Sequence, residues 1–467
     1  MANPKPLHTV NSHRASISIS SIDTDTTLHT LNLPEQHHRD AIRNFRYTKF
    51  NVYRRLFSVV FIANIIPLLV MLARFTSMEN ISLVDLSTAA SANFFVAIMI
   101  RQDYVVNILF RTFWHIPHTT PLRIRRMVAK VYQNGGIHSG AVVAGTFWYI
   151  FLTAMITLNF AERALESVSV LALSYILLVL LLAIIFFAYP RFRFRSHNAF
   201  ELSHRWAGWA AIAIFWAELV LLISERGKTQ NLSFRYLLIR QPTFWFLVAI
   251  TVHLILPWLR LRKWHFHPEQ LSNHALRLNF DKTVSPLSAI AISESPLHEW
   301  HAFATFPKNG GGGSMIISSA GDWTKRTVLA PRTRYWIKGV PKTGVLSMAF
   351  VFKRVVIVTS GSGIGPCLSF LLEPSRKTLC RVLWSTPSPL KTYGHDICDA
   401  VRRVDPEAVV IDTRESGRPD MVALTYNLFV EFGAEAVFCI SNPVLTRKIV
   451  FAMESRGVPA FGPIWDS

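Results

Sequence analysis

Val355 to Ser360 is an unbroken apolar run, and Gly361-Ser-Gly363-Ile-Gly365-Pro366 follows it directly, ahead of the helix-forming stretch Cys367 to Leu372. Strand, glycine loop and helix in that order let a backbone approach a pyrophosphate, while the helix N-terminus adds amide donors and a favourable dipole. A lone loop of this kind is also an ordinary tight turn, so the segments after it carry weight. Cys380 to Thr386 reads as a second strand, Ala408 to Thr413 as a third with Gly417-Arg418-Pro419-Asp420 behind it, and Ala436 to Ser441 as a further one. Buried strands separated by helical stretches are the pattern of an α/β nucleotide-binding domain.

Upstream, from Trp264, short apolar stretches broken by Pro, Gly and Ser predict a small antiparallel β-barrel. It contains Glu299-Trp-His301-Ala-Phe303-Ala-Thr305 and, later, Gly321-Asp-Trp323-Thr324. An aromatic such as Phe303 can stack on an isoalloxazine ring, and His301 can donate to a flavin's polar edge or phosphates. The competing reading is a plain barrel with buried aromatics.

Two further histidines stand at the starts of apolar runs. His138 opens one run and His204 another, and imidazoles at one depth on facing helices can hold a haem iron from both sides. Interfacial polar residues are the bland alternative. His253, inside a third run, is costly to bury alone and predicts a hydrogen bond to a neighbouring helix.

Positioning these residues requires a bundle. The chain has 467 residues, 51% of them hydrophobic, with mean hydropathy +0.29. Six runs approach the roughly 20 apolar residues needed to cross a hydrocarbon core: Leu56 to Ala73, Leu83 to Ile100, His138 to Phe160, Ser167 to Tyr189, Trp206 to Ile223 and Phe244 to Trp258. Basic residues gather at alternate connections, including Arg123, Arg125, Arg126 and Lys130, then Arg191, Arg193 and Arg195, which predicts cytosolic N- and C-termini. This topology also accounts for the net charge of +20, so no nucleic-acid partner is expected. The four cysteines lack zinc or disulfide spacing.

The expected fold is therefore a multi-domain membrane protein. Residues 1–47 form a disordered cytosolic tail, 48–262 a six-helix transmembrane bundle, 263–350 an antiparallel β-barrel and 351–467 the α/β domain. The last two together resemble the ferredoxin-reductase-type module of ferric reductases and NADPH oxidases. Phe113-Trp-His-Ile-Pro117, Gly135-Gly-Ile-His138-Ser-Gly140 and His204-Arg205 resemble a fungal branch of that superfamily, the Tmp-type integral membrane flavoproteins.

That resemblance implies FAD held by His301, Phe303, Trp323 and Thr324, with Thr305 standing in for a hydroxyl that Ala304 lacks. NAD(P)H would lie on Gly361, Gly363, Gly365 and Pro366, with Ser385 near the adenosine ribose and Arg418 in a Gly-Arg-Pro signature. Cys439 would sit under the nicotinamide, and Trp465 would cover the flavin. One haem b between His138 and His204 stays an open alternative. Leu152, and Ala217 or Glu218, stand where a second, deeper histidine pair would be. The implied function is membrane-bound NAD(P)H-dependent flavoprotein electron transfer to an unidentified membrane-accessible acceptor, in fungal signalling or secondary metabolism, at the plasma membrane or an endomembrane. The rival is a non-catalytic redox-sensing protein with a degenerate flavin site.

Overall fold

The computed structural model describes residues 33–74, 81–162, 165, 167–308 and 310–463. Its helical part contains α1 (Val52–Arg74), α2 (Leu83–Met99), α3 (Asp103–Trp114), α4 (Leu122–Val128), α5 (Gly135–Ala161), α6 (Val168–Phe187), α7 (His197–Gln230) and α8 (Pro242–Ile255). Among the described residues, five helical stretches are long and apolar enough to cross a membrane: 52–73, 135–161, 168–187, 197–230 and 242–260. The expected crossing Leu83 to Ile100 is not among them and passes the same test only together with the helix that follows it, as one bent pair. Helix α2 stops at Met99, and the chain turns through 67° into α3.

The cause of that turn lies in the sequence. Arg101, Gln102 and Asp103 interrupt the apolar run, and Gln102 adopts an extended conformation ahead of α3. The helix then buries Val106 and Phe110 in the core shared with Val355 and Ile357 of the α/β domain. It serves as a strut joining the two halves of the molecule.

Close approach of α5 to α1 depends on small residues. A Cβ on Gly136 would lie 2.0 Å from the Tyr53 carbonyl oxygen, so the backbones meet where a side chain has no room. Helix α7, with 34 residues, extends about 50 Å, well beyond a hydrocarbon core of about 30 Å. Its histidine-bearing first turns reach the barrel: Arg205 donates to the carbonyls of Leu297 and His298, each at 3.0 Å.

The barrel is built from β1 (Arg262–His265), β2 (His267–Gln270), β3 (Ala275–Phe280), β4 (Ser288–Ser293), β5 (His301–Ala304), β6 (Phe306–Pro307), β7 (Gly313–Ser318), β8 (Arg334–Ile337) and β9 (Lys342–Thr343). One antiparallel sheet runs β1-β8-β4-β5 with β9 on β4, and the other runs β2-β3-β7-β6. A short helix, α9 (Asp322–Leu329), follows β7. The Gly321-Asp-Trp-Thr segment, read from the sequence as part of the β-barrel, is the start of this helix: Thr324 Oγ1 accepts from the Gly321 amide at 2.8 Å and caps it.

The last domain places β10 (Arg354–Ser360), β11 (Leu379–Thr386), β12 (Val409–Asp412), β13 (Ala436–Ile440) and β14 (Ala460–Phe461) in one parallel sheet of order β12-β11-β10-β13-β14. Helices α10 (Ile364–Leu371), α11 (Pro389–Val404), α12 (Met421–Glu431) and α13 (Pro443–Glu454) connect them. Strand order reverses at β10, and ligands of such sheets bind in the crevice beyond the strand ends at that reversal.

The expected disorder of residues 1–47 is corrected over 33–47, because residues 1–32 lie outside the described residues. Asp40–Asn44 is helical. The preceding stretch docks on the α/β domain, with the His37 amide on the Ser455 carbonyl at 2.7 Å and Arg456 Nε on the Pro34 carbonyl at 2.9 Å.

Candidate functional site: nucleotide crevice, barrel stack and bundle cavity

Beyond the carboxyl ends of β10 and β13 the backbone shapes a crevice. Gly361 takes φ +51°, a conformation open to glycine at little cost. A Cβ on Gly363 would lie 2.2 Å from the Ile440 carbonyl oxygen and 2.5 Å from Thr359 Oγ1, so the loop presses directly on the end of β13. Thr359 Oγ1 donates to that same Ile440 carbonyl at 2.7 Å. The fully buried Trp384 donates from Nε1 to the Gly361 carbonyl at 3.0 Å. The loop is thus fixed from two strands.

Ser360 and Ser441 hydrogen-bond to each other through their hydroxyls across the mouth of the crevice. Asn442 caps α13, its side chain accepting from the amides of Val444 and Leu445. Neither Ser360, Ser441 nor Asn442 stood out as a site residue in the sequence; adjacency of β10 and β13, invisible before the sheet order is known, brings them together. Gly365 and Pro366 open α10, where a Cβ on Gly365 would meet Ile316 of β7 at 3.2 Å. That glycine serves the contact between barrel and α/β domain. Ser385 is buried near the end of β11, and Arg418 is exposed on the loop after β12.

Cys439 is fully buried within β13 and packs with Val437 and Ile449, and burial pushes its thiol up to about 12. The structure therefore presents it as a neutral core thiol. Trp465 lies outside the described residues.

In the barrel, His301 and Phe303 share one face of β5 and both stack on Trp323, with ring centroids 4.2 Å and 6.1 Å away. Trp323 belongs to the barrel core. One face of Phe303 is thus engaged, and its half-buried remainder is what a flavin ring could use. His301 Nε2 is buried without a hydrogen-bond partner, and burial holds the imidazole below its ordinary range and hence neutral. This orphaned polar atom is the observation that fits a flavin. Thr305 is committed elsewhere: its hydroxyl donates to the Ser288 carbonyl at 3.0 Å. Thr324 is occupied with capping α9.

The bundle brings His138 and His204 together, with ring centroids 6.3 Å apart. His138 Nδ1 lies 2.9 Å from the Ala97 carbonyl oxygen, and His204 Nδ1 is buried without a partner. The two candidate haem ligands of the sequence therefore lie side by side in the bundle. Among the described residues no cluster of three or more His, Cys, Asp or Glu is arranged for a metal ion. Leu152 and Glu218 are both fully buried, and Glu218 accepts from Tyr149 at 2.7 Å and Ser174 at 2.6 Å. A second carrier pair is replaced there by packed side chains. His253 bonds Tyr104 of α3 through Nδ1 at 2.7 Å, the interhelical partner expected for it.

The histidine pair borders a cavity of about 470 Å³, walled by α2, α5, α6, α7 and α8 and reaching Lys338 on the loop after β8. Lys338 lies over the rings of Trp258 and Trp300 at 4.9 and 4.6 Å. Burial, reinforced by Arg205, lowers its pKa to about 8.

Comparison with known proteins bears on this arrangement. The family model for the C-terminal domain of adenylate-forming reductase 03009 matches residues 345–467. Two proteins of Coprinopsis cinerea share most of the chain: adenylate-forming reductase 03009 is 44% identical over 437 residues and adenylate-forming reductase 06235 is 42% identical over 441. Each alignment covers 93% of this chain and 42% of the relative, so the chain spans about two-fifths of the length of these relatives. Among solved structures, similarity extends to a ferredoxin NADP+ reductase from Neisseria gonorrhoeae with bound FAD and NADP, at 12% identity and TM-score 0.37, covering 44% of this chain and 99% of that one. It also extends to a flavohemoglobin from Malassezia yamatoensis with bound FAD and heme, at 12% identity and TM-score 0.38, covering 81% and 98%.

These relatives correct the functional expectation. Electron transfer from a membrane flavoprotein to a membrane-accessible acceptor, and its redox-sensing rival, give way to the name carried by proteins 44% and 42% identical across 93% of the chain. The finer resemblance to Tmp-type flavoproteins is not confirmed by these relatives.

Proposed function

We propose that this chain is the reducing part of an enzyme that acts on a carboxylic acid activated as its adenylate. Supporting this reading above all is the 44% identity, over 93% of the chain, with a protein named adenylate-forming reductase. In the reaction a hydride from NAD(P)H adds to the acyl carbon, the bond to the adenylate oxygen breaks, and AMP leaves as the anion. The acyl group becomes an aldehyde, and the nicotinamide is oxidised by the same two electrons.

The chain's own residues supply the framework. Amides at the start of α10 and of the glycine loop would hold a pyrophosphate, Trp384 tethers that loop, Thr359 ties the end of β10 to β13, and Ser360 with Ser441 offers hydroxyls at the reversal of the sheet. Phe303 and the free Nε2 of His301 would hold FAD, whose ring would supply hydride-transfer chemistry when bound. The five apolar helical stretches and the bent pair of α2 and α3 as a sixth embed the chain in a bilayer, with the basic connections, the docked residues 33–47 and the reductase module on the cytosolic side.

The deciding experiment incubates the purified chain in lipid nanodiscs with a synthetic acyl adenylate and NADPH or NADH. Aldehyde formed in a one-to-one ratio with nicotinamide oxidised supports the reading. Nicotinamide oxidation without aldehyde over a panel of aliphatic, aromatic and amino-acyl adenylates overturns it. Isoalloxazine fluorescence of the denatured protein reports the flavin separately.

A further inference from the structure

The bundle cavity is built for more than packing. Its deeper walls are apolar, formed by Leu177, Leu181, Ile184, Ile212, Phe215 and Leu254, while Arg101 and Lys338 line its barrel-facing end. Neither cation makes a hydrogen bond or an ion pair within 4 Å through its side chain among the described residues. Arg205, by contrast, is paired with Glu201. Two carboxylates of the lining act on Lys338, Glu201, which is engaged by Arg205, and Asp103, on the turn into α3, and neither forms an ion pair with it. Leaving a guanidinium without a counter-ion, and an ammonium with only the indole faces of Trp258 and Trp300, is costly in a half-buried site, and a bound anion recovers that cost through charge-assisted hydrogen bonds.

Space has also been kept open. Gly208 lines the cavity from α7, and a Cβ there would meet nothing within 4 Å. The backbone neither turns nor touches another chain segment at this residue, so glycine's usual reasons are missing. An alanine would strengthen the helix by about 1 kcal/mol, yet the position stays bare beside a void. At about 470 Å³ the void falls in the range of about 300–1,000 Å³ common to small-molecule sites.

We propose that this cavity binds a single-chain amphiphilic anion, its apolar chain lying between α6 and α7 and its carboxylate or phosphate head at Arg101 and Lys338. The polarity of the cavity carries the assignment: one end is cationic and unpaired, the other is lined by aliphatic side chains, and the cationic end adjoins Trp300, one residue before β5. A ligand held this way presents its head group toward the reductase module. The site stands independently of the reaction assigned above, since occupancy can be measured with no nucleotide present.

The test uses the full chain in phosphatidylcholine nanodiscs with a diazirine-bearing palmitate as photoprobe. Labelling is expected in peptides containing Leu177 to Ile184 and Ile212 to Phe215, competed at least ten-fold more effectively by palmitate than by methyl palmitate. Gly208→Leu should cut labelling at least ten-fold with no fall in unfolding temperature. Joint Arg101→Gln and Lys338→Gln substitution should bring acid and ester within two-fold of each other. Competition by lysophosphatidic acid incorporated in the nanodiscs would name the bilayer as the source, and its failure beside effective palmitate a free carboxylate; both sustain the site. Equal competition by the ester, undiminished labelling of a folded Gly208→Leu protein, or a Soret band that vanishes in His204→Ala would overturn it, the last by showing a tetrapyrrole in the cavity.

Discussion

The nucleotide crevice is made of backbone, and the bundle cavity is made of side chains. In the crevice the loop carbonyls and amides are positioned by neighbours already hydrogen-bonded to one another, and glycines stand where no Cβ fits. In the cavity, histidines from separate helices and cations from the turn after α2 and the loop after β8 converge on a void, and its one glycine stands where a Cβ fits freely. The difference determines what each region tolerates: addition of a single carbon should be ruinous in the first and harmless to folding in the second.

Gly363→Ala is the sharpest test of that contrast. The new Cβ would fall 2.2 Å from the Ile440 carbonyl oxygen, and neither that backbone nor Thr359 can yield without moving the end of β10. Displacement of a binding loop by about 1 Å costs on the order of 100-fold, so NADPH or NADH affinity measured by calorimetry should fall by about that factor. Retention of affinity within three-fold would mean that the loop is not the pyrophosphate site.

Next in size is the joint between the regions. Arg125 of α4 is buried, binds Glu435 through two hydrogen bonds of 2.7 and 2.9 Å, and donates to the Thr120 and Val351 carbonyls at 2.9 and 3.0 Å. Arg125→Ala strands a carboxylate and two carbonyls. Because Glu435 is only half-buried, the expected loss is about 2–3 kcal/mol of stability, read from denaturant unfolding of the α/β domain. An unchanged midpoint would show that bundle and reductase module are energetically separate.

Trp384→Phe probes the crevice more gently. It keeps the aromatic bulk and deletes the 3.0 Å bond to the Gly361 carbonyl. Such a bond is worth about 1 kcal/mol, so nucleotide affinity should weaken several-fold, with the far-ultraviolet spectrum unaltered. A loss as large as that of Gly363→Ala would mean that the tether, rather than close packing, defines the loop.

The same contrast explains what the sequence disclosed. Backbone-built sites leave local signatures: the run ending at Ser360 and the glycines after it announced strand, loop and helix, and β10 and α10 stand there. The apolar helices were equally legible, because length and hydropathy are local properties. Asp103 to Trp114 was not, since its amphipathic face is meaningful only against a barrel about 230 residues later, where Asn107 bonds the Pro341 carbonyl and the Thr343 amide at 2.8 Å. Ser441, Gly208 and the convergence of Arg101 with Lys338 were hidden for the same reason. Thr305 and Thr324 show the reverse error: their motif positions were visible, but the backbone groups that engage their hydroxyls were not.

The smallest expected effect concerns acid. Arg125's hydrogen bonds, aided by the Lys353 amide, hold the Glu435 carboxyl below its ordinary range. A carboxyl lowered in the folded state contributes stability that is present above its unfolded value of about 4.3 and disappears as pH falls through the folded value. Comparison of the native protein with Glu435→Gln should therefore give the widest gap in unfolding temperature near neutrality. That gap should begin to close below about pH 4.3 and be gone once Glu435 is protonated in the folded protein. Because Glu435 retains some exposure to solvent, a few degrees is the expected scale. A gap that stays constant with pH would assign Arg125's contribution to its two carbonyl bonds, and the joint between the regions would then rest on backbone, as the crevice does, rather than on charge.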